Sequence, residues 1–256
     1  MPAPCVTLWI GDALGPVERA CLRSVLRHGH SVALYCYRTP KGVPDGVEVR
    51  EASDILPEDS IFLHEAGSVA AFADWFRFEL QRRSLGTWID TDVYLVRPLD
   101  ADRPYLFGKE DPKLINNAVF RVPHDSELLS ALLEVFDMRK VPEWLPFRSY
   151  LPARARQIFS GRVDLGRMPF GTTGPDALTA AATRLGLAEE ALPIEVFNPV
   201  PWQKADWILD PSVSLESVTT QRTVAVHLWN ECIKEFKNSP AAKGSFLDRL
   251  HREGKD

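Results

Sequence analysis

The chain has 256 residues, a length that fits one domain, or one domain with an elaboration. At that size a chain buries roughly three quarters of its unfolded surface and needs no disulfide or metal staples. Hydrophobic residues make up 45% and charged residues 25%, values that exclude a disordered, collagen-like or coiled-coil chain. Thirty Lys plus Arg against thirty-five Asp plus Glu leave −5, so no global positive field exists to collect the phosphates of a nucleic acid.

Cys5, Cys21, Cys36 and Cys232 form no C-x-x-C pair and lie far apart, which speaks against a zinc ribbon or a dense disulfide framework and for a reducing compartment. No basic n-region with an apolar h-region opens the chain, and no run reaches the ~18 apolar residues of a membrane span. The expectation is a cytoplasmic protein without a transmembrane span.

In chain order, Val6 to Ile10 reads as a β-strand, and Pro16 opens a helix that closes at Gly29. Ser31 to Tyr37 reads as a buried strand, and Val47 to Arg50 as a third after a turn-rich segment. This β-α-β-β opening is typical of α/β sheets. Ser68 caps a helix ending at Leu85-Gly86, whose Val69, Phe72, Ala73, Phe76 and Leu80 form one apolar stripe with Asp74, Arg77 and Gln81 grouped beside it. Thr87 to Ile89 is a strand that runs into Asp90-Thr91-Asp92. A strand-like Leu114 to Val122, a helix from about Ser126 to Arg139, an irregular stretch to about Phe170 and a helix after Gly174-Pro175 follow. The last strand is Val224 to Leu228, and the tail from Asn238 is polar. No internal repeat is present.

Asp90 and Asp92, at i and i+2 where an apolar strand stops, are hard oxygen ligands of the kind that hold Mg²⁺ or Mn²⁺ beside a nucleotide. With eighteen Asp in the chain a D-x-D arises by chance, and Asp100-Ala101-Asp102 is a second one. The first copy stands at a strand end, where open α/β sheets bind ligands; the second lies in a polar turn. Asp74 and Arg77 sit one helical turn apart, either as a surface ion pair or as a half-buried pair for a charged ligand. His227, at the end of the last strand, offers an imidazole to a metal already held by carboxylates, or a hydrogen bond within the core. Trp9 is placed to stack on a nucleobase or to pack in the core. Asn116 and Asn117 are two amides in a strand, where Asn is disfavoured, so at least one has a hydrogen-bonding duty. Asp176 lies at a helix amino terminus. No P-loop, G-x-G-x-x-G, G-x-S-x-G or H-E-x-x-H is present.

LWIGDAL, RHGHSVALYCY, GVEVREASDILP, FADWFRFELQRRSLGTWIDTDVYLVRPLD, INNAVFRVP, TGPDALT and VAVHLWN, in this order over roughly residues 6 to 230, resemble glycosyltransferase family 32, whose sugar-binding region contains a D-x-D motif. The resemblance implies an α/β, GT-A-like (nucleotide-diphospho-sugar transferase) fold: a mixed central sheet flanked by helices in a single domain. It implies a hexosyltransferase of polysaccharide biosynthesis that retains anomeric configuration, uses Mn²⁺ or Mg²⁺, and moves a hexose from a nucleoside-diphosphate sugar to a glycan or lipid-linked acceptor. Carried over by similarity, Asp92 is the principal metal ligand, Asp90 reaches the metal or the ribose, and His227 completes the site. Trp9 packs on the nucleobase, Asp74 and Arg77 hold the donor sugar and diphosphate, Asn117 and Asp176 line the sugar pocket, and Asp176 is a candidate stabiliser of the sugar cation.

The transferase domain is expected over residues 1–237, with a helical or irregular acceptor-side insertion at about 139–170 and a polar tail over 238–256. Residues 139–167 carry seven basic side chains against Glu143 and Asp164, interleaved with Trp144, Phe147, Tyr150 and Phe159. This stretch is either a solvated cover or a wall that meets an anionic acceptor or a membrane surface. A metal-dependent nucleotidyltransferase or phosphoesterase and a non-catalytic nucleotide-sugar binder are the competing functions.

Overall fold

The computed structural model describes residues 4–255. Five-residue strands β1 (Cys5–Trp9), β2 (Val32–Cys36) and β3 (Val47–Glu51) are parallel neighbours, with helix α1 (Pro16–Arg27) between the first two. CVTLW and VALYC bury nearly every position, as strands covered on both faces require. Helix α2 (Ala70–Arg82) then leads to β4 (Thr87–Ile89), which pairs in parallel with β1 on the side away from β2. Next come β5 (Val93–Leu95), β6 (Leu106–Lys109), β7 (Ile115–Arg121), α3 (Glu127–Glu134), α4 (Phe147–Ser160) and α5 (Pro175–Arg184). The short helices α6 (Ile194–Phe197) and α7 (Leu215–Val218) precede β8 (Ala225–His227), α8 (Asn230–Ile233) and α9 (Phe246–Glu253).

The main sheet has the order β3-β2-β1-β4-β7-β6, with β7 antiparallel to both neighbours, and β5 pairs with β8 in a separate antiparallel ribbon. The chain therefore steps outward from β1 to β3 and then reverses to β4 on the other side of β1. That reversal is the switch point at which open α/β sheets bind ligands, outside the carboxyl ends of β1 and β4. Successive β1 and β2 residues supply opposite layers. Val6, Leu8, Ala33 and Tyr35 pack with Phe72, Phe76 and Leu132, while Cys5, Val32 and Leu34 pack with Leu22 and Val25 of α1. This single-domain α/β architecture, a mixed sheet flanked by helices, is the one expected from the sequence and is consistent with a GT-A-like fold.

Four local features differ from the sequence expectation. Ser68 lies before the first turn of α2, and its Oγ accepts the Ala70 N–H at 3.2 Å. The helical or irregular insertion contains, at residues 147–160, a 14-residue helix whose bounds the sequence does not mark, with Pro152 inside it. β5 and β6 were not separated from their surroundings: β5 has three residues, and β6 carries Gly108 at an irregular register against β7. The polar tail contains α9, which docks on α1 with Phe246, Leu247 and Leu250 buried, because those three fall on one side of an otherwise charged helix.

Cys21 and Cys36 are buried free thiols, and Cys232 is a free thiol exposed to solvent. No helix among the described residues is long and apolar enough to cross a membrane.

Candidate metal and donor site

Trp9 ends β1 and Asp90 follows β4, so both reach the switch point. The Asp90 N–H donates to the Ala118 carbonyl at 2.8 Å, and the Val93 N–H returns to the Asp90 carbonyl at 3.1 Å, closing the turn that carries both carboxylates. β5 then pairs with β8 in the register Val93–His227, which sets His227 beside Asp92 across 135 residues of sequence. A ligand atom from each of Asp90, Asp92 and His227 lies within 4.8 Å of the other two.

The surroundings orient this group. His227 Nε2 is 3.3 Å from Asp92 Oδ2, and its Nδ1 is 3.3 Å from Asn198 Oδ1. With the Nδ1–H donated to Asn198, the Nε2 lone pair is left for a cation, the arrangement by which a second shell fixes a metal-binding imidazole. Asn198 is itself held, donating from Nδ2 to the Lys109 carbonyl at 3.1 Å. Trp229 takes a left-handed backbone (φ 59°), which turns the Asn230 N–H onto Asp92 Oδ2 at 2.6 Å. Lys237 in turn bridges Asn230 Oδ1 to the buried Glu18 carboxylate of α1.

Arg77 links the metal group to a second polar cluster. Its Nη2 donates to Asp90 Oδ1 at 2.9 Å, its Nη1 donates to the Asn117 carbonyl at 2.5 Å, and its guanidinium lies 4.7 Å from the Trp88 ring centre. Trp88 Nε1 also donates to Asp90 Oδ1, at 2.7 Å. Arg77 Nε stands 3.7 Å from Asp74 Oδ1, too far for a hydrogen bond, and is buried without an acceptor. Asp74 receives Asn117 Nδ2 at 2.9 Å and the Thr173 hydroxyl at 2.7 Å. Gly174 makes that approach possible, since a Cβ there would sit 2.6 and 2.7 Å from the two Asp74 oxygens.

Charge states follow from burial and neighbours. Burial raises the Asp74 carboxyl above its usual range, against Arg77, Thr173 and Asn117. Burial raises Asp90 to about 6, with the Asp92 charge adding to it and Arg77 and His227 opposing. For Asp92 burial is outweighed by His227 and the Asn230 N–H, so its carboxyl stays below the usual range. Burial opposes protonation of His227, but Asp92, Asp90 and Glu110 together raise it above the ordinary imidazole value. His227 and Asp90 therefore bind protons more readily than free side chains do, and a cation at this group would compete with those protons.

The structure brings Asp74, Arg77, Asp90, Asp92, Asn117 and His227 into one continuous network. The surface ion-pair alternative for Asp74–Arg77 does not hold, as both side chains are buried. Asp176 lies in the first turn of α5, half-buried and raised by that burial, and accepts no hydrogen bond among the described residues. Trp9 packs along the α1 side of the sheet, and its Nε1–H is buried without an acceptor. Of the two strand amides both have duties: Asn116 donates to Glu110 Oε2 at 2.7 Å and accepts from the Ala118 N–H. Trp88, Glu110, Thr173, Asn198 and Lys237 were not singled out from the sequence. Glu110 is raised by burial and feels the charges of both His227 and Asp176. Surface clefts of about 370 and 700 Å³ lie along α3 and residues 139–144, and none of the eight candidate residues lines either.

No family model and no curated protein sequence matches the chain. Among solved structures, the PaToxG glycosyltransferase is 10% identical, over 99% of this chain and 86% of that one, with a TM-score of 0.43. A likeness at that level identifies no activity, so the functional reading rests on the site.

Proposed function

We propose that the protein is a metal-dependent, retaining glycosyltransferase that moves a hexose from a nucleoside-diphosphate sugar to a glycan, glycolipid or other hydroxyl acceptor. The observation that carries this reading is the convergence of Asp90, Asp92 and His227 at the sheet's switch point, joined through Arg77 to the buried Asp74–Asn117 cluster. Two carboxylates and an imidazole with its far nitrogen engaged fit a hard or borderline divalent cation such as Mn²⁺ or Mg²⁺. Breaking the bond from anomeric carbon to phosphate leaves a nucleoside diphosphate of growing negative charge, which a bound cation would neutralise.

The chain's own residues supply the rest in this reading. Asp92 and Asp90, with His227, hold the cation. Arg77 orients Asp90 and adds positive charge beside the diphosphate. Asp74 and Asn117 face the donor sugar, Asp176 stands on the same side as a stabiliser of developing positive charge, and Trp9 packs on the nucleobase. The retaining outcome and the hexose are the parts of this reading that the site itself does not carry; they rest on the sequence resemblance alone. A thermal-shift screen of nucleoside diphosphates with and without Mn²⁺ tests the reading. Joint stabilisation by metal and nucleotide, abolished by Asp92→Asn, supports it; no nucleotide-dependent shift at saturating metal counts against it.

A further inference from the structure

α4 is built inside out. On a surface helix the apolar residues face the protein, yet here the buried positions are Ala153 and Gln157, while Phe147 is 75%, Ile158 69% and Phe159 92% exposed. At 100° per residue, Phe147, Leu151 and Ile158 fall within about 40° of one another, with Arg154 on one border and Arg148 and Phe159 on the other. Five of the nine exposed large apolar side chains among the described residues lie between 147 and 170, the fifth being Phe170. Scattered exposed apolar residues are ordinary; a band of this kind is an attachment surface.

Its charge says what it attaches to. Residues 139–167 carry seven basic side chains against two acidic ones, a local +5 in a chain of −5. Arg167 is paired with Glu65 and Asp164, but Arg148, Arg154, Arg156 and Arg162 have no carboxylate within 4.0 Å among the described residues. Four unneutralised guanidinium groups around aromatic and aliphatic side chains match an interface of anionic headgroups over acyl chains. Leu151 and Ile158, exposed in the middle of the band, are aliphatic and suit acyl chains, whereas a glycan has little to gain from them. We infer that α4 is a peripheral membrane-docking helix that lays Phe147, Leu151, Ile158 and Phe159 into an anionic lipid bilayer, with Arg148, Arg154 and Arg156 on the headgroups. The same segment reaches the candidate site: Trp144 Nε1 donates to the Thr172 carbonyl at 2.9 Å, and Thr173 holds Asp74. Docking would bring that wall of the site to the lipid surface, where a lipid-linked acceptor is found.

The test needs no enzymatic activity. The full-length chain is sedimented with vesicles of phosphatidylcholine alone and of phosphatidylcholine with about one third phosphatidylglycerol, at low and high salt. The expected result is binding to the anionic vesicles only, weakened as salt screens the headgroups. Arg148→Gln/Arg154→Gln/Arg156→Gln should lower the partition coefficient about 100-fold, at roughly fivefold per basic residue. Ile158→Ser/Phe159→Ser should abolish binding at unchanged melting temperature and unchanged Mn²⁺-induced thermal shift. No binding of the wild type to anionic vesicles, or binding by either variant equal to that of the wild type, overturns the inference. So does a wild-type dimer that Ile158→Ser/Phe159→Ser converts to monomer without any vesicle binding, which would make this face a contact between copies of the chain.

Discussion

Replacing Gly174 with Ala places one methyl group where the network has no room. The new Cβ would stand 2.6 Å from Asp74 Oδ1, 2.7 Å from Oδ2 and 2.9 Å from Asn117 Nδ2. Asp74 cannot retreat without releasing the Thr173 hydroxyl and the Asn117 amide, and a buried carboxylate that loses such partners costs about 1.5–3 kcal/mol for each. Because the helix can shift by a few tenths of an ångström, the expected loss is about 3 kcal/mol, near the lower limit for two bonds. For a chain of this size that lowers the melting temperature by about 6–12 °C. Circular dichroism melts and urea titrations of Gly174→Ala, Asp74→Ala and the double variant read it out. In the Asp74→Ala background the two carboxylate contacts are gone and the remaining one, Asn117 Nδ2, is an amide end no longer tethered to Asp74, so the cost should fall below about 1 kcal/mol. A Gly174→Ala protein melting within about 2 °C of wild type, or the same loss in both backgrounds, refutes the packing of Asp74 against this turn.

Arg77→Lys should damage the site nearly as much as Arg77→Ala, since one ammonium cannot serve both Asp90 Oδ1 and the Asn117 carbonyl while lying over Trp88; donor hydrolysis by the Lys variant above half of wild type would contradict this. Asn198→Ala should weaken Mn²⁺ binding about 10-fold to 100-fold by calorimetry while leaving the fold intact, because it frees the His227 Nδ1–H from its acceptor. His227 and Asp90, both raised in the folded state, contribute to the pH dependence of the metal-free protein near neutrality. A raised group contributes stability that is fully present below its unfolded value and is lost as pH rises through the folded one. The metal-free melting temperature should therefore rise as pH falls through the raised His227 transition and on through that of Asp90 at about 6, while the stabilisation added by Mn²⁺ shrinks over the same interval as protons compete for the ligands. Parallel melts with and without Mn²⁺ check both slopes, and a metal shift independent of pH would contradict them.

Much of this site was legible because its signals are local. An apolar run that stops at Asp90-Thr91-Asp92 marks a strand end whatever surrounds it, and Asp74 and Arg77 are placed on one helix side by spacing alone. His227 could be singled out as the end of a strand, but its meeting with Asp92 depends on the β5–β8 register, which no local pattern encodes. Thr173, Glu110 and Asn198 escaped for the same reason: each acts across at least 29 residues or through a neighbour that only the fold supplies. The bounds of α4 were hidden for another cause. Its apolar residues face outward and Pro152 interrupts the run, so the usual helical signal of an inward stripe is missing. In α9 the signal existed, in Phe246, Leu247 and Leu250, but charged residues between them lowered the average to that of a tail.

The central claim is that Asp90, Asp92 and His227 hold a divalent cation for cleavage of a nucleotide sugar. The most direct measurement is release of nucleoside diphosphate from a panel of nucleotide sugars without acceptor, with added Mn²⁺ and with chelator, by wild type, Asp92→Asn and His227→Ala. The account predicts release from at least one donor by wild type with Mn²⁺, none with chelator, and a fall of about 100-fold or more for Asp92→Asn. Release from no donor, release that survives chelation, or equal release by all three proteins would contradict it.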